Sequence, residues 1–145
     1  MPKFIKLSLG VIITCLISSV GIAQSNPGYA QLWYNGKRLH KLIVDRIPNY
    51  GINGEDDCIV ERAIRLEFRD IDSLTVQGLL RDVETKDPLP GAVIKLERLG
   101  QESEILNTDA KGRFIVKKAS PVRKITVQYI GYRTLNIEGI PKKFF

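Results

Sequence analysis

The sequence predicts an all-β protein, an antiparallel β-sandwich, on three observations. From Thr75 to Ile137 apolar and polar residues alternate in short runs. Clusters of Gly, Pro, Asp and Asn punctuate these runs every ten residues or so, the spacing of strands joined by turns. No apolar stripe of helical period interrupts this half of the chain.

The elements follow in order. Thr75 to Arg81 alternates, with Val76, Gly78 and Leu80 on one face. Asp87-Pro-Leu-Pro-Gly91 is a turn. Ala92, Ile94 and Leu96 then face one way, and Val93, Lys95 and Glu97 the other. A short strand is expected near Glu104 to Asn107. Thr108-Asp-Ala-Lys-Gly112 reads as a hairpin loop, with Gly112 supplying positive φ. Phe114 and Val116 point inward, and Arg113 and Lys117 outward. Ile125, Val127 and Tyr129 repeat the pattern, and Leu135 and Ile137 close it. The predicted core is therefore Leu80, Ile94, Phe114, Val116, Ile125, Val127 and Leu135.

Residues 31–73 are harder to read. Asn35-Gly36 between apolar runs is a hairpin signal, because both central residues of a type I′ turn need positive φ. Residues 59–68 fit two patterns. Ile59, Val60, Ala63 and Ile64 mark a helical face, whereas Ile64, Leu66 and Phe68 alternate as in a strand; the strand, over Ala63–Phe68, is the better match. A sandwich of only 65–70 residues buries little of its unfolded surface, so this segment is expected to add strands or cover an edge.

The N-terminus has the layout of a secretory signal peptide: Lys3 and Lys6, an uncharged run from Leu7 to Ile22, then Gly21-Ile22-Ala23 with small residues at both ends. Cleavage is expected after Ala23. The apolar run is short for a membrane span, which needs roughly 20 residues. Cys15 follows Thr14 and precedes more apolar sequence, a poor lipidation junction. The chain thus divides into a signal peptide (1–23), a leader and extension (24–73), a sandwich (74–140) and a basic-aromatic tail (141–145). Cys58 is then the one cysteine of the mature chain. Its acidic neighbours Glu55, Asp56 and Asp57 oppose thiolate formation and a nucleophilic role.

Four motifs occur in order: Val76-Gln-Gly-Leu-Leu-Arg-Asp82, Pro88-Leu-Pro-Gly-Ala-Val-Ile94, Thr108-Asp-Ala-Lys-Gly-Arg-Phe114 and Ile125-Thr-Val-Gln-Tyr-Ile-Gly-Tyr-Arg-Thr134. Together they resemble the carboxypeptidase regulatory-like domain, common at the N-terminus of TonB-dependent outer-membrane receptors. The resemblance covers roughly residues 74–138. It implies a transthyretin-like (prealbumin-like) Greek-key sandwich of seven strands, in a bacterial envelope protein placed in the periplasm, at the outer membrane or outside the cell. It carries no catalytic residue onto this chain. The sequence also lacks the plug and barrel of the receptors and the zinc peptidase domain of other relatives.

Composition narrows the function further. The 22 Lys and Arg exceed the 16 Asp and Glu, but they form no dense basic run with interleaved aromatics, so nucleic acid is not an expected partner. His40 is the one histidine, and with Cys58 it falls short of the three or four ligands of a zinc site. Glu55-Asp56-Asp57 lacks the spacing of a calcium loop. No cofactor, metal or catalytic constellation is expected. The leading expectation is a non-catalytic module that binds another envelope protein. The alternative is a carbohydrate- or peptide-binding protein that uses Trp33, Tyr34 and Tyr50, against the plainer reading that such aromatics cover a core edge.

Overall fold

The computed structural model describes residues 28–47 and 62–145. The expected signal peptide (residues 1–23, with Cys15), Tyr50, Glu55–Asp57 and Cys58 lie outside the described residues. Within them the chain forms strands and no helix: β1 (Ala30–Tyr34), β2 (Lys37–Arg38), β3 (Ile43–Ile47), β4 (Ile64–Asp70), β5 (Thr75–Asp82), β6 (Val93–Arg98), β7 (Glu104–Asn107), β8 (Arg113–Lys117), β9 (Val122–Gln128) and β10 (Thr134–Glu138). Two five-stranded sheets, ordered β2-β1-β4-β5-β8 and β3-β10-β9-β6-β7, face each other as a sandwich.

The alternation read from the sequence sets the inner faces. Leu80, Ile94, Phe114, Val116, Ile125, Val127 and Leu135 are all buried. So are Leu32, Ile64, Leu66 and Phe68, which come from the N-terminal segment. That segment is integral to the sandwich: β4 pairs with β5 from Ile64↔Asp82 to Asp70↔Val76, and β3 pairs with β10. Ile64, Leu66 and Phe68 share one side of β4, so two-residue periodicity prevails over the helical alternative.

Asn35 and Gly36 have φ of 47° and 77°, the positive pair a tight hairpin turn demands, and they join β1 to β2. The second arm is only two residues long. After Leu39 donates its N–H to the Leu32 carbonyl, the chain leaves this sheet and enters β3 of the other. That excursion explains the departure from antiparallel pairing among the described strands. β1 runs parallel to β4, from Ala30↔Ile64 to Tyr34↔Phe68, and parallel neighbours require a crossover rather than a hairpin.

The motifs singled out in the sequence meet in space. Gly78 of β5 lies under the Phe114 ring of β8; a Cβ placed on Gly78 would stand 2.1 Å from the ring. Asp82, at the end of β5, accepts a 2.7 Å hydrogen bond from the Tyr132 hydroxyl beyond β9. The Thr108 hydroxyl donates to the Leu89 carbonyl and accepts from the Ala92 N–H, tying the proline turn to the loop before β8. In that loop the Asp109 carboxylate accepts from the N–H groups of Lys111 and Arg113, as an Asp that organises its own turn does.

The stretch 141–145 folds back onto the sandwich. Lys142 and Lys143 are exposed, whereas Phe144 and Phe145 are buried. Both rings contact Phe68, at centroid distances of 5.2 and 4.8 Å. Arg98, only 7% exposed, donates to the carbonyls of Ser120, Lys117 and Phe145 at 2.7–2.9 Å.

Candidate interaction surface

The hairpin aromatics do not form one platform, because neighbouring residues of a strand point to opposite faces. Tyr34 turns inward. Its ring packs on Phe144 and Phe145, and its hydroxyl donates to Asp70 at 2.7 Å. Trp33 turns outward, where the Arg65 guanidinium lies 4.2 Å from its ring centroid in cation–π contact. Tyr50 lies outside the described residues. Tyr34 therefore covers a core edge, and Trp33 is left on the outer face of the first sheet.

That face carries a shallow depression of about 260 Å³, lined by Trp33, Arg65, Glu67, Arg69, Gln77, Leu79 and Arg81 among others. Residues opposite one another on paired strands share a face. Trp33 stands opposite Glu67, Glu67 opposite Leu79, Arg65 opposite Arg81, and Arg69 opposite Gln77. Arg65 is ion-paired with Glu67. Sequence reasoning missed this basic face. The signal was present in Arg65 and Arg69, which have the outward parity of β4, and in Arg81, which has that of β5.

A second surface is the open corner formed by β7 and β8, each the last strand of its sheet. Leu80 N–H donates to the Gly112 carbonyl and Lys118 N–H to the Leu74 carbonyl. Antiparallel pairing alternates, so the main-chain groups of Ile115 point away from β5. By the same alternation from the Thr108–Ala92 bond, those of Ile105 and Asn107 point away from β6. The side chains of Ile105 and Ile115 are 64% and 50% exposed.

Among the described residues no group of three potential metal ligands occurs. His40 is exposed, between Leu39 and Lys41. No described helix is long and apolar enough to cross a membrane.

Two tyrosine–aspartate pairs hold the ends of β5 and β4 and contribute to the response to pH. Burial raises the Asp82 carboxyl, but N–H donation from Thr85, the Tyr132 hydroxyl and the Glu84 N–H together hold it below the ordinary value. At Asp70 the side-chain bond from Asn35 is the largest lowering influence, assisted by Lys118 and Tyr34. Burial, and then the bond to its aspartate, pushes each phenol up to about 12, Tyr34 by Asp70 and Tyr132 by Asp82. The lowered carboxyls stabilise the fold above their unfolded pKa, and that contribution is lost as pH falls from about 4 through their lowered folded values. The raised phenols stabilise it fully below about 10, and this is lost as pH rises through 10 toward 12. Urea midpoints plotted against pH are expected to show both limbs, and Tyr132→Phe is expected to shrink the alkaline limb. An unchanged alkaline limb in that variant would assign it to other groups.

No protein-family model, curated protein or solved structure matches this chain.

Proposed function

We propose that this chain is an exported, non-catalytic β-sandwich module of the bacterial cell envelope, related to carboxypeptidase regulatory-like domains, that binds an extended segment of another envelope protein. The observation that carries this reading is the open corner of β7 and β8. Unpaired main-chain groups at a sheet edge accept an added strand, and Ile105 and Ile115 beside them offer apolar contacts for its side chains. The basic, apolar and small-residue order of residues 3–23 supports export. Contacts within the motifs support a binding role over catalysis: Gly78 packs under Phe114, and Thr108, Asp82 and Tyr132 are engaged in turn and strand-end hydrogen bonds.

The test is photo-crosslinking in the native envelope from a reactive residue placed at 105 or 115, followed by binding measurements with the captured partner. Ile115→Pro and Ile105→Pro each remove an outward N–H, where edge strands tolerate proline. They are expected to weaken binding at least roughly tenfold, about the worth of one well-made hydrogen bond at the edge. Lys117→Ala is expected to change it little. A proline variant with a native melting temperature and undiminished affinity rules out strand addition at that edge. Purification of the chain with Met1 still in place rules out the export step.

A further inference from the structure

We infer that the outer face of the first sheet is a docking surface for an acidic polysaccharide. The first ground is a charge arrangement the fold does not require. Arg65 and Arg81 are directly opposite partners on β4 and β5, and like charges so placed destabilise a sheet. Glu67, the one carboxylate that β4 and β5 contribute to this face among the described residues, is taken by Arg65. Arg69 and Arg81 stand exposed on the same face with no acidic partner among the described residues. The other outer face is built differently: Lys95 and Arg123 both reach Glu97 at 3.5 Å. The positive excess is therefore particular to one side of the sandwich.

The second ground is the lining of the depression. The Trp33 ring and the half-buried Leu79 provide an apolar floor among the cations. Arginine forks bind carboxylates bidentately. Gln77 both donates and accepts, and Glu67 accepts from hydroxyls. Uronate-type sugar units have the matching chemistry, with carboxylates for the arginines, hydroxyls for Gln77 and Glu67, and a C–H face for Trp33. β4 and β5 are interior strands paired on both sides. A peptide laid here gains no main-chain ladder and loses the usual advantage of an extended polypeptide on a sheet. Arg69 lies four residues along β4 from Arg65, about 13 Å at the rise of a strand. One small anion does not span that distance, so the occupant carries repeated charge.

The test is calorimetric titration of the full chain with a polygalacturonate oligomer. A neutral dextran of equal length, poly-L-glutamate and phosphatidylglycerol vesicles serve as comparison ligands. Binding of the uronate is expected, with none of the dextran and weaker binding of the other two polyanions. It is expected to fall at least about tenfold between roughly 0.05 and 0.5 M salt, as screening shortens the reach of exposed charges. Arg69→Gln with Arg81→Gln is expected to weaken it by about tenfold or more, each lost carboxylate contact counting, and Trp33→Ala to weaken it further. Lys95→Gln on the other sheet is expected to leave it unchanged. These arginines are exposed, so the variants keep their melting temperature, which is measured alongside. No uronate binding, equal or tighter binding of poly-L-glutamate or of the vesicles, or indifference to the paired arginine substitutions overturns the proposal.

Discussion

Arg98→Met is expected to remove about 3–5 kcal/mol of folding stability, the cost of breaking a buried charged network from one side. Arg98 belongs to β6, yet its guanidinium donates to the carbonyls of Lys117 at the end of β8, Ser120 before β9, and Phe145. It also reaches Glu104 of β7 at 3.5 Å. One side chain therefore ties together the open-corner strands, the loop between the sheets and the C-terminal segment. Methionine fills much of the volume but donates nothing. The three acceptors belong to the main chain and cannot be substituted away, so their desolvation stays uncompensated. Arg98→Lys is expected to fall between wild type and methionine, since one ammonium cannot reproduce a planar fork directed at separate acceptors. Arg113→Ala serves as the control. Its partner Asp109 sits on an exposed loop, and loss of such a pair costs under about 1 kcal/mol. Comparable urea midpoints for the Arg98 and Arg113 variants would show that the buried network contributes little.

Much of this arrangement was legible in the sequence, and the limits of legibility are physical. Alternation in β5, β6, β8 and β10, and in β9 from Ile125 onward, gave the inward faces, because a period of two leaves one choice of face. Extended by a single step, the inward series Ala92, Ile94, Leu96 points to Arg98, so even the buried arginine carried a signal. What parity cannot supply is the partner. Lys117, Ser120 and Phe145 lie 19 to 47 residues away from Arg98, and no local pattern encodes a contact at that separation. The parallel β1–β4 pair was hidden for the same reason. Asn35-Gly36 correctly marked a hairpin, but turn chemistry does not say how long the second arm runs before the chain changes sheet.

The candidate surfaces divide along similar lines. Composition drew attention to Trp33 and Tyr34 as aromatics in one hairpin, and the same alternation that gave the core separates them. The basic face around Arg65, Arg69 and Arg81 is spread over two strands that are adjacent only once the register from Ile64↔Asp82 to Asp70↔Val76 is known. In a linear reading these arginines are ordinary outward residues. The motifs behave oppositely. Gly78 beneath Phe114, and Tyr132 on Asp82, are contacts between motifs well apart in sequence. Several weak local patterns in a fixed order thus signal one folded unit better than any single one of them.

The second large effect is expected at the aromatic cluster that closes the sandwich. Phe68 is fully buried and touches Phe114 and Phe144 edge-on, at 5.7 and 5.2 Å, and Phe145 at 4.8 Å. Its removal opens a cavity beneath three other rings, so Phe68→Ala is expected to cost about 3–5 kcal/mol, the range for large aromatic truncations in cores. The more informative variant is Phe144→Ala. A residue read from composition as part of a basic-aromatic tail ought to be replaceable within about 0.5 kcal/mol, as at ordinary surface sites. Buried between Tyr34 and Phe68, it is instead expected to cost about 3 kcal/mol or more. The two losses are not independent, because each ring forms part of the wall of the other's site. A double-mutant cycle in urea is therefore expected to show a coupling of about 0.5–1.5 kcal/mol, the worth of an edge-to-face aromatic pair beyond its buried area. Lys143→Ala, one residue earlier and exposed, is expected to be neutral. If Phe144→Ala proves as mild as Lys143→Ala, the C-terminal residues do not pack in solution, and the carbonyl of Phe145 is not one of the acceptors that hold Arg98.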